Sequence, residues 1–397
     1  MSDQLLERSE ERVATQPQIL SDREQLSTSN GHSGQSRTGE RIVYVRESSP
    51  PANAWTIAGI TGAVLIFILI LGIVGSLLVA SIRTPTTSTG SSSTMAGMNS
   101  GSTTTQNTAV TPSVPIPAHQ TYNAQPPAAP QGSKVNVTLT IKELLVTIAP
   151  DVAYHAWTFN GTVPGPIVRV RQGQTIHFTL VNDGTMPHSI DFHAAQTPWN
   201  VNYQEVPAGK SFSFDWKANY PGVFMYHCGA PTVIYHMANG MYGEIIVDPA
   251  NGWGTPAKEY GLVQSEFYTT QQPDGTYSVD PTKLANDLPD YVVFNGYTNQ
   301  YKLAPLTAKA GERIRLFIVN AGPTEFSAFH VIGAIFSDVY MDGNPANHTV
   351  GNQTITIPPG GGAVVELTIP DPGLYPFVTH SFASVGKGAL GVIKVTP

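Results

Sequence analysis

Short segments with alternating apolar and polar residues follow one another along the chain from Lys134 onward. Clear examples are VNVTLTI at 135–141, IVRVRQG at 167–173 and TIHFTLVN at 175–182. Alternation with a period of two is typical of strands that bury one face, and Gly, Pro and Asn turn signals separate the segments. The pattern therefore predicts an all-β region of the sandwich type.

The β pattern occurs twice along the chain. An FNG start, a central Gly turn and a VN end are common to the segments 158–182 and 293–320. Two later pairs of segments also match, namely 206–228 with 357–381 and 240–247 with 388–395. A repeat of such long period indicates two tandem domains, which we place at 134–249 and 250–397.

An apolar segment precedes these domains. Residues 55–82 contain no Asp, Glu, Lys or Arg, and they exceed the roughly 20 residues that span the hydrocarbon core of a bilayer. Arg37, Arg41 and Arg46 lie upstream, whereas only Arg83 follows before the first predicted strand. Because Lys and Arg concentrate on the cytoplasmic side, we expect a single-pass transmembrane helix with a cytoplasmic N-terminus and an extracytoplasmic head.

Two polar segments flank the apolar one. Residues 1–54 mix charges and lack sustained apolar periodicity, which predicts a disordered cytoplasmic tail. Residues 83–133 are dominated by Ser, Thr, Gly, Pro and Gln, a composition that cannot bury enough apolar surface to fold alone. We expect these residues to form a flexible linker between the membrane and the head.

The composition limits the functions that are possible. The formal net charge is −7, without the basic stripe that tight binding to a phosphate backbone needs, so nucleic acid is not an expected partner. The single cysteine, Cys228, cannot form an intramolecular disulfide. Outside the cytoplasm such a thiol must be buried, paired between chains or bound to a metal.

Two tracts collect candidate metal ligands. PHSIDFH at 187–193 and YHCGAPTVIYHMANGM at 226–241 contain the only cysteine and four of the eleven histidines. A thiolate, two imidazoles and a thioether form the ligand set of a blue electron-transfer copper, because soft sulfur and borderline nitrogen favour copper. The residues that supply this predicted type 1 set are His188, Cys228, His236 and Met241.

His193 and His227 are interleaved with these ligands. In an extended strand they alternate to the other side, so they indicate a second metal. A catalytic metal with an open position usually has three protein ligands, and a third imidazole is therefore needed.

Comparison of the two repeats identifies a candidate for that imidazole. Ser381 stands opposite Cys228 and Ala389 stands opposite Met241, so the second domain has lost the sulfur ligands. It keeps a histidine, His380, at the position opposite His227. His380 is therefore the predicted third ligand of the second metal.

This arrangement resembles the copper-containing nitrite reductases, two-domain cupredoxin enzymes that reduce nitrite to nitric oxide. The resemblance covers residues 134–397 and rests on PH-x2-DFH, HC-x7-H-x4-M, a downstream FH-x-I and a final His, in that order. It implies two tandem Greek-key cupredoxin β-sandwich domains with type 1 and type 2 copper. It also implies a homotrimer in which His380 reaches the type 2 copper of the neighbouring subunit.

The resemblance also implies roles for three further residues. Asp191 resembles the catalytic aspartate of the family, His330 its catalytic histidine, and Ile332 the apolar residue that shapes the pocket above the type 2 copper. Nitrite would be the substrate, and a small redox protein such as a cupredoxin or a c-type cytochrome would be the electron donor. One departure is the stretch after His193, which carries Trp199 where many members have a Gly-rich loop.

Two other functions are compatible with parts of the pattern. A two-domain multicopper oxidase needs about eight imidazoles for its trinuclear cluster, usually from His-x-His pairs, and the sequence contains no such pair. A membrane-tethered electron carrier would use only the type 1 copper. The copper content per subunit distinguishes these two alternatives from the reductase.

Overall fold

The computed structural model describes residues 111–397. The segments predicted as a cytoplasmic tail (1–54) and a transmembrane helix (55–82) lie outside this range, as does most of the predicted linker (83–133). Among the residues described, no helix is both long enough and apolar enough to span a membrane.

The first unit consists of eight strands. They are β1 (Lys134–Ala149), β2 (Val152–Phe159), β3 (Val168–Arg171), β4 (Thr175–Asn182), β5 (Asp191–Phe192), β6 (Ser211–Lys217), β7 (Gly222–His227) and β8 (Tyr242–Asp248). Two short helices interrupt them, α1 (Trp199–Asn202) and α2 (Val233–Ala238). One sheet contains β2-β1-β4-β6 and the other contains β3-β8-β7-β5.

The second unit consists of thirteen strands. They are β9 (Lys258–Phe267), β10 (Thr269–Gln271), β11 (Tyr277–Val279), β12 (Tyr291–Phe294), β13 (Leu306–Lys309), β14 (Arg313–Gly322), β15 (Ser327–Val331), β16 (Phe336–Met341), β17 (His348–Asn352), β18 (Thr354–Ile357), β19 (Gly362–Thr368), β20 (Gly373–Thr379) and β21 (Leu390–Thr396). The helices are α3 (Pro281–Ala285), α4 (Gln300–Leu303) and a 3-10 turn at Phe382–Ser384. The sheet orders are β12-β9-β14-β19-β16-β17 and β13-β21-β20-β15-β18.

The pairing of strands repeats between the two units. In the first, β4 pairs parallel with β1 and antiparallel with β6, and in the second β14 pairs in the same way with β9 and β19. The parallel pair β3–β8 corresponds to β13–β21, and the antiparallel pair β7–β8 corresponds to β20–β21. The prediction of an all-β head is confirmed, and the sheets repeat as the sequence does.

Each unit has its own apolar core, and a third cluster joins the two. Val223 and Met225 of β7 and Ile246 of β8 pack with Phe317 and Val319 of β14. These side chains are nearly or fully excluded from solvent. Since burying one such side chain stabilises a fold by roughly 1.5–3 kcal/mol, the cluster fixes the sheet that carries His227 against the second unit.

One hairpin crosses the boundary between the units. β10 and β11 follow β9 in sequence, yet they extend the first sheet, where Tyr277 pairs with Tyr154 of β2. The alternating pattern alone predicted two consecutive domains and did not reveal this exchange, because the pairing partner of an edge strand is not encoded in its own periodicity.

The residues before β1 lie against the head. Tyr122 donates from its hydroxyl to the carbonyl of Gly165 (2.8 Å) and from its backbone N–H to the side chain of Gln300 (2.9 Å). The carbonyl of Ala124 accepts from the N–H of Gly261 (2.7 Å). The linker was predicted to run to residue 133, whereas residues 111–133 contact both units.

Candidate metal centres

The first predicted ligand cluster is assembled as a compact group. The Nδ1 atom of His236 lies 3.3 Å from Sγ of Cys228, and Nδ1 of His188 lies 3.9 Å from the same sulfur. The two Nδ1 atoms lie 3.2 Å apart. All three side chains are buried.

Local backbone structure positions these ligands. Cys228 follows the last residue of β7, where its N–H donates to the carbonyl of Met241 (3.0 Å) at the start of β8. His236 lies in α2, and the N–H of Met241 donates to its carbonyl (3.1 Å). Met241 is fully buried in the same apolar cluster as Cys228. The strand–helix–strand connection thus gathers the Cys, His and Met of the predicted set.

Burial shifts the pKa values of the thiol and of an imidazole in this cluster in opposite directions. Burial raises the pKa of the Cys228 thiol to about 11, although backbone N–H groups such as that of Ser189 (3.3 Å from Sγ) oppose the shift. Burial, and then the neighbouring His188, lower the pKa of His236 to about 4. Neutral imidazoles with free lone pairs beside a buried sulfur are the donor set that copper selects, so these residues fit a type 1 copper.

Two residues that the sequence reading missed surround this cluster. Trp157 packs its ring against those of His188 (5.5 Å between centroids) and His236 (4.9 Å). Glu143 lies opposite Trp157 in the β1–β2 pairing, and its Oε1 lies 3.3 Å from Nε2 of His188.

A signal for Glu143 was present in the sequence. The inward positions of β1 are Val135, Val137, Leu139 and Ile141, and the next position with the same period of two is Glu143. A carboxylate that interrupts an apolar face needs a partner, because burying an unpaired charge is costly.

The second predicted cluster contains Asp191, His193 and His227. Nε2 of His193 lies 3.2 Å from Nε2 of His227, and Oδ2 of Asp191 lies 3.6 Å from the latter atom. Asp191 begins β5, which pairs it directly with His227 at the end of β7. His227 is buried, Asp191 is half-buried and His193 is exposed.

Hydrogen bonds of the outer ring nitrogens orient both imidazoles. Nδ1 of His227 donates to the carbonyl of Cys228 (2.9 Å), and Nδ1 of His193 donates to the carbonyl of Gly360 (3.1 Å) in the second unit. Each Nε2 atom therefore carries a lone pair, and the two lone pairs converge. Burial lowers the pKa of His227, which keeps this ring neutral. The pair fits a metal that takes imidazole ligands.

The remaining predicted residues lie together on the second unit. His330 is in β15, and its ring centroid lies 5.5 Å from that of His380, which follows β20. Ile332 is 42% exposed just after β15. Within one chain, the cluster of Asp191, His193 and His227 includes none of these residues.

His380 is exposed at the surface of the second unit. Its ring packs near Phe382 (5.0 Å between centroids), a residue that is 58% exposed. His380 also lines a cavity of about 510 Å³ together with Phe326 and Thr356. A larger cavity of about 790 Å³ lies between residues 117–127 and the two units, and none of the predicted ligands lines it.

Other histidines in the described part of the chain have ordinary structural partners. His155 contacts the hydroxyl of Thr276 (2.9 Å), and His177 pairs with Asp215 (2.6 Å) on the surface. His119 stacks on Tyr297, with 3.6 Å between the ring centroids. None of these three histidines belongs to either ligand cluster of the described residues.

The chain is similar in sequence to known copper proteins. A family model described as multicopper oxidase matches residues 140–252, and a second model of the same description matches residues 258–392. A copper-containing nitrite reductase of Neisseria meningitidis is 41% identical over 271 residues, covering 66% of this chain and 69% of the relative. This chain belongs to the copper-containing nitrite reductases.

Further relatives agree with this assignment. A copper-containing nitrite reductase of Pseudomonas chlororaphis is 33% identical and covers 66% of this chain and 78% of the relative. The solved structure of a copper nitrite reductase from Nitrosomonas europaea has 40% identity and a TM-score of 0.62, and the match covers 66% of this chain and 94% of that one. As a member of this family the chain is a type 1 and type 2 copper enzyme, and the carrier and oxidase alternatives are not favoured.

Proposed function

We propose that this enzyme reduces nitrite to nitric oxide and water at a site built around His193 and His227. The reaction consumes one electron and two protons for each nitrite. One observation carries the proposal: His227 and Cys228 are consecutive, yet their side chains belong to the two different ligand clusters. A short covalent route thus joins a candidate electron-entry site to a candidate nitrite site.

Copper supplies the redox chemistry when it is bound, with a type 1 centre that relays electrons and a type 2 centre that acts as a Lewis acid toward nitrite. His188, Cys228, His236 and Met241 would hold the first, and His193, His227 and His380 the second. The carbonyl of Cys228 accepts the Nδ1 proton of His227, so a hydrogen bond of 2.9 Å also links these two neighbouring residues.

Asp191 is placed to hold and transfer a proton. Its Oδ2 lies 3.6 Å from Nε2 of His227, beside the two converging lone pairs, and about a third of the side chain is exposed. A carboxyl group there can hydrogen-bond to nitrite and donate a proton to the oxygen that leaves as water.

His330 is the candidate for the second proton. Its Nδ1 donates to the carbonyl of Gln353 (2.6 Å), so the proton that it transfers would be the one on Nε2 of the doubly protonated ring. His330 lies next to His380, so both residues would reach the site together. Ile332, one residue beyond the end of β15, would then present an apolar side chain toward the bound nitrite.

A second copy of the chain would complete the site. Within one chain, Asp191, His193 and His227 lie in the first unit, whereas His330 lies in β15 of the second unit and His380 directly follows β20. Three copies in a ring would bring the first unit of one chain against the second unit of the next, through a heterologous interface whose rotation closes after three subunits. The proposed assembly is a homotrimer with one shared nitrite site at each interface.

The location of the enzyme is also a proposal. The uncharged segment 55–82 and the arginines before it support a single-pass anchor with the catalytic head outside the cytoplasm. A small redox protein would then deliver electrons near the type 1 cluster.

Anaerobic turnover and copper analysis test the proposed function together. The full-length protein loaded with copper should produce nitric oxide from nitrite when an artificial reductant is supplied, and it should hold about two copper ions per subunit. About one copper per subunit and no nitric oxide would instead indicate an electron carrier.

A further inference from the structure

We propose that Glu143 is a positioning residue that fixes the proton of His188 and lowers the reduction potential of the type 1 centre. The inference rests on the proposed role of His188 as a copper ligand. It concerns the electron-entry site only, so it can be tested without nitrite.

The contact between the two residues is direct. Oε1 of Glu143 lies 3.3 Å from Nε2 of His188, and the imidazole is fully buried while the carboxylate is 20% exposed. An ionised carboxylate only accepts hydrogen bonds, so Nε2 of His188 must carry the proton. Its other nitrogen, Nδ1, is then the lone-pair donor, and this atom faces Cys228 and His236.

The turn after β4 holds the carboxylate in place. Thr185 donates its backbone N–H to Oε1 and its hydroxyl to Oε2, both at 2.7 Å. A Cβ atom at Gly184 would lie 2.5 Å from Oε1, so only glycine leaves space for the carboxylate. Asn182 fixes this turn by accepting from the N–H of Gly184 (2.9 Å) and donating to the carbonyl of Met186 (2.9 Å).

These contacts differ from a chance ion pair on the surface. Both carboxylate oxygens are engaged, by a backbone amide, a hydroxyl and an imidazole, so the side chain has one orientation. Partners of this kind orient metal-bound histidines and increase their basicity.

The sign of the effect follows from charge. A negative group that pulls on the proton of His188 increases electron density at Nδ1 and stabilises the more positive, oxidised form of the metal. The parent protein should therefore have a lower reduction potential than a variant in which this charge is absent.

Two variants of the full-length, copper-loaded protein separate charge from shape. Glu143→Gln keeps an oxygen acceptor for His188 and removes the charge. Asp183→Asn removes an exposed carboxylate from the same turn and serves as the matched control. A redox titration followed through the visible absorption of the type 1 centre gives the potential of each protein.

The Glu143→Gln protein should retain the absorption band and favour the reduced form about tenfold more than the parent, which is about 59 mV for one electron. Asp183→Asn should stay close to the parent. An unchanged potential in Glu143→Gln would overturn the proposal, and so would an equal shift in both variants, which would indicate a general charge effect.

A second variant keeps the test decisive if Glu143→Gln does not fold. Thr185→Val removes the hydroxyl bond that holds Oε2 and allows the carboxylate to move away from His188, so it should raise the potential in the same direction by a smaller amount. A potential equal to that of the parent would then contradict the inference. The measured reduction potentials do not involve nitrite. A negative result in this experiment can therefore be distinguished from a failure of the proposed reductase activity.

Discussion

His227 and Cys228 are consecutive residues whose side chains take part in different clusters. Nε2 of His227 lies 3.2 Å from Nε2 of His193, and Sγ of Cys228 lies 3.3 Å from Nδ1 of His236. The end of β7 therefore contributes one ligand to each proposed copper site. A substitution at either residue should therefore disturb one copper site and electron transfer between the two sites. The other site should still bind copper.

Cys228→Ala should separate electron entry from catalysis. It removes the sulfur that lies 3.3 Å from His236 and 3.9 Å from His188, so the intense visible band that a copper–thiolate bond gives should disappear. His193 and His227 keep their orienting hydrogen bonds, so copper in the second cluster should remain. Nitrite turnover with a protein donor should fall by at least about 100-fold, because the route is lost.

Copper analysis and steady-state assays check this expectation. A soluble reductant that reaches the second site directly serves as the control, and it should restore part of the activity. If Cys228→Ala kept full turnover with the protein donor, the proposed route through the Cys228 and His227 pair would be incorrect.

Asp191→Asn should impair the chemistry without removing copper. The amide keeps the shape of the carboxyl group next to His227 but cannot transfer a proton in the same way. General acid catalysis typically contributes about 10²–10⁴-fold, so we expect turnover to fall by about 100-fold or more. Anaerobic turnover of nitrite measures this loss, with copper content and the visible spectrum as controls. A variant as active as the parent would show that Asp191 is not the proton donor.

The stability of the copper-free protein should depend on pH through its buried imidazoles. Burial lowers the pKa of His236 from 6.5 to about 4, and it lowers the pKa of His188 and His227 as well. The unfolded chain therefore binds more protons than the folded chain between about pH 4 and pH 6.5, and the free energy of unfolding rises with pH in this window.

The contribution of His236 is complete above pH 6.5 and is lost as the pH falls toward 4. It amounts to at most about 1.4 kcal/mol per pH unit for one group. Denaturant unfolding of the copper-free parent and of His236→Gln between pH 7 and pH 4.5 measures how much His236 contributes to the pH dependence of the free energy of unfolding. The variant should show the shallower slope, and identical slopes would contradict the assignment of His236 as a buried neutral group.

The two tracts around Cys228 were informative because metal ligands depend on residue type and local spacing. The structure places His188, Cys228 and His236 in one cluster and Asp191, His193 and His227 in another. The duplication was also evident, because both halves preserve the same turns and strand periods.

Other features depend on partners that are remote in sequence. Glu143 precedes His188 by 45 positions, and the exchange of the β10–β11 hairpin is decided by edge pairing. Residues 111–133 have the composition of a linker, yet hydrogen bonds such as that of Tyr122 to Gly165 hold them on the head. The composition of a segment shows how much apolar surface it could bury by itself. It does not show whether the segment packs against the surface of a neighbouring domain.

Mixing of subunits shows whether each nitrite site takes ligands from two copies of the chain. His193→Ala disables the half-site of the first unit, and His380→Ala disables that of the second. Each variant alone should be inactive. When equal amounts of the two variants are mixed and reassembled, half of the first units and half of the second units are intact. About a quarter of the interfaces should then join an intact first unit to an intact second unit.

The mixture should therefore recover about a quarter of the parent activity and of its type 2 copper, because one intact half-site from each variant restores a complete ligand set. Mixing of separately assembled proteins without dissociation is the control and should stay inactive. If dissociated and reassembled mixtures remained as inactive as either variant alone, the ligands would come from a single chain, and the shared-site account would be wrong.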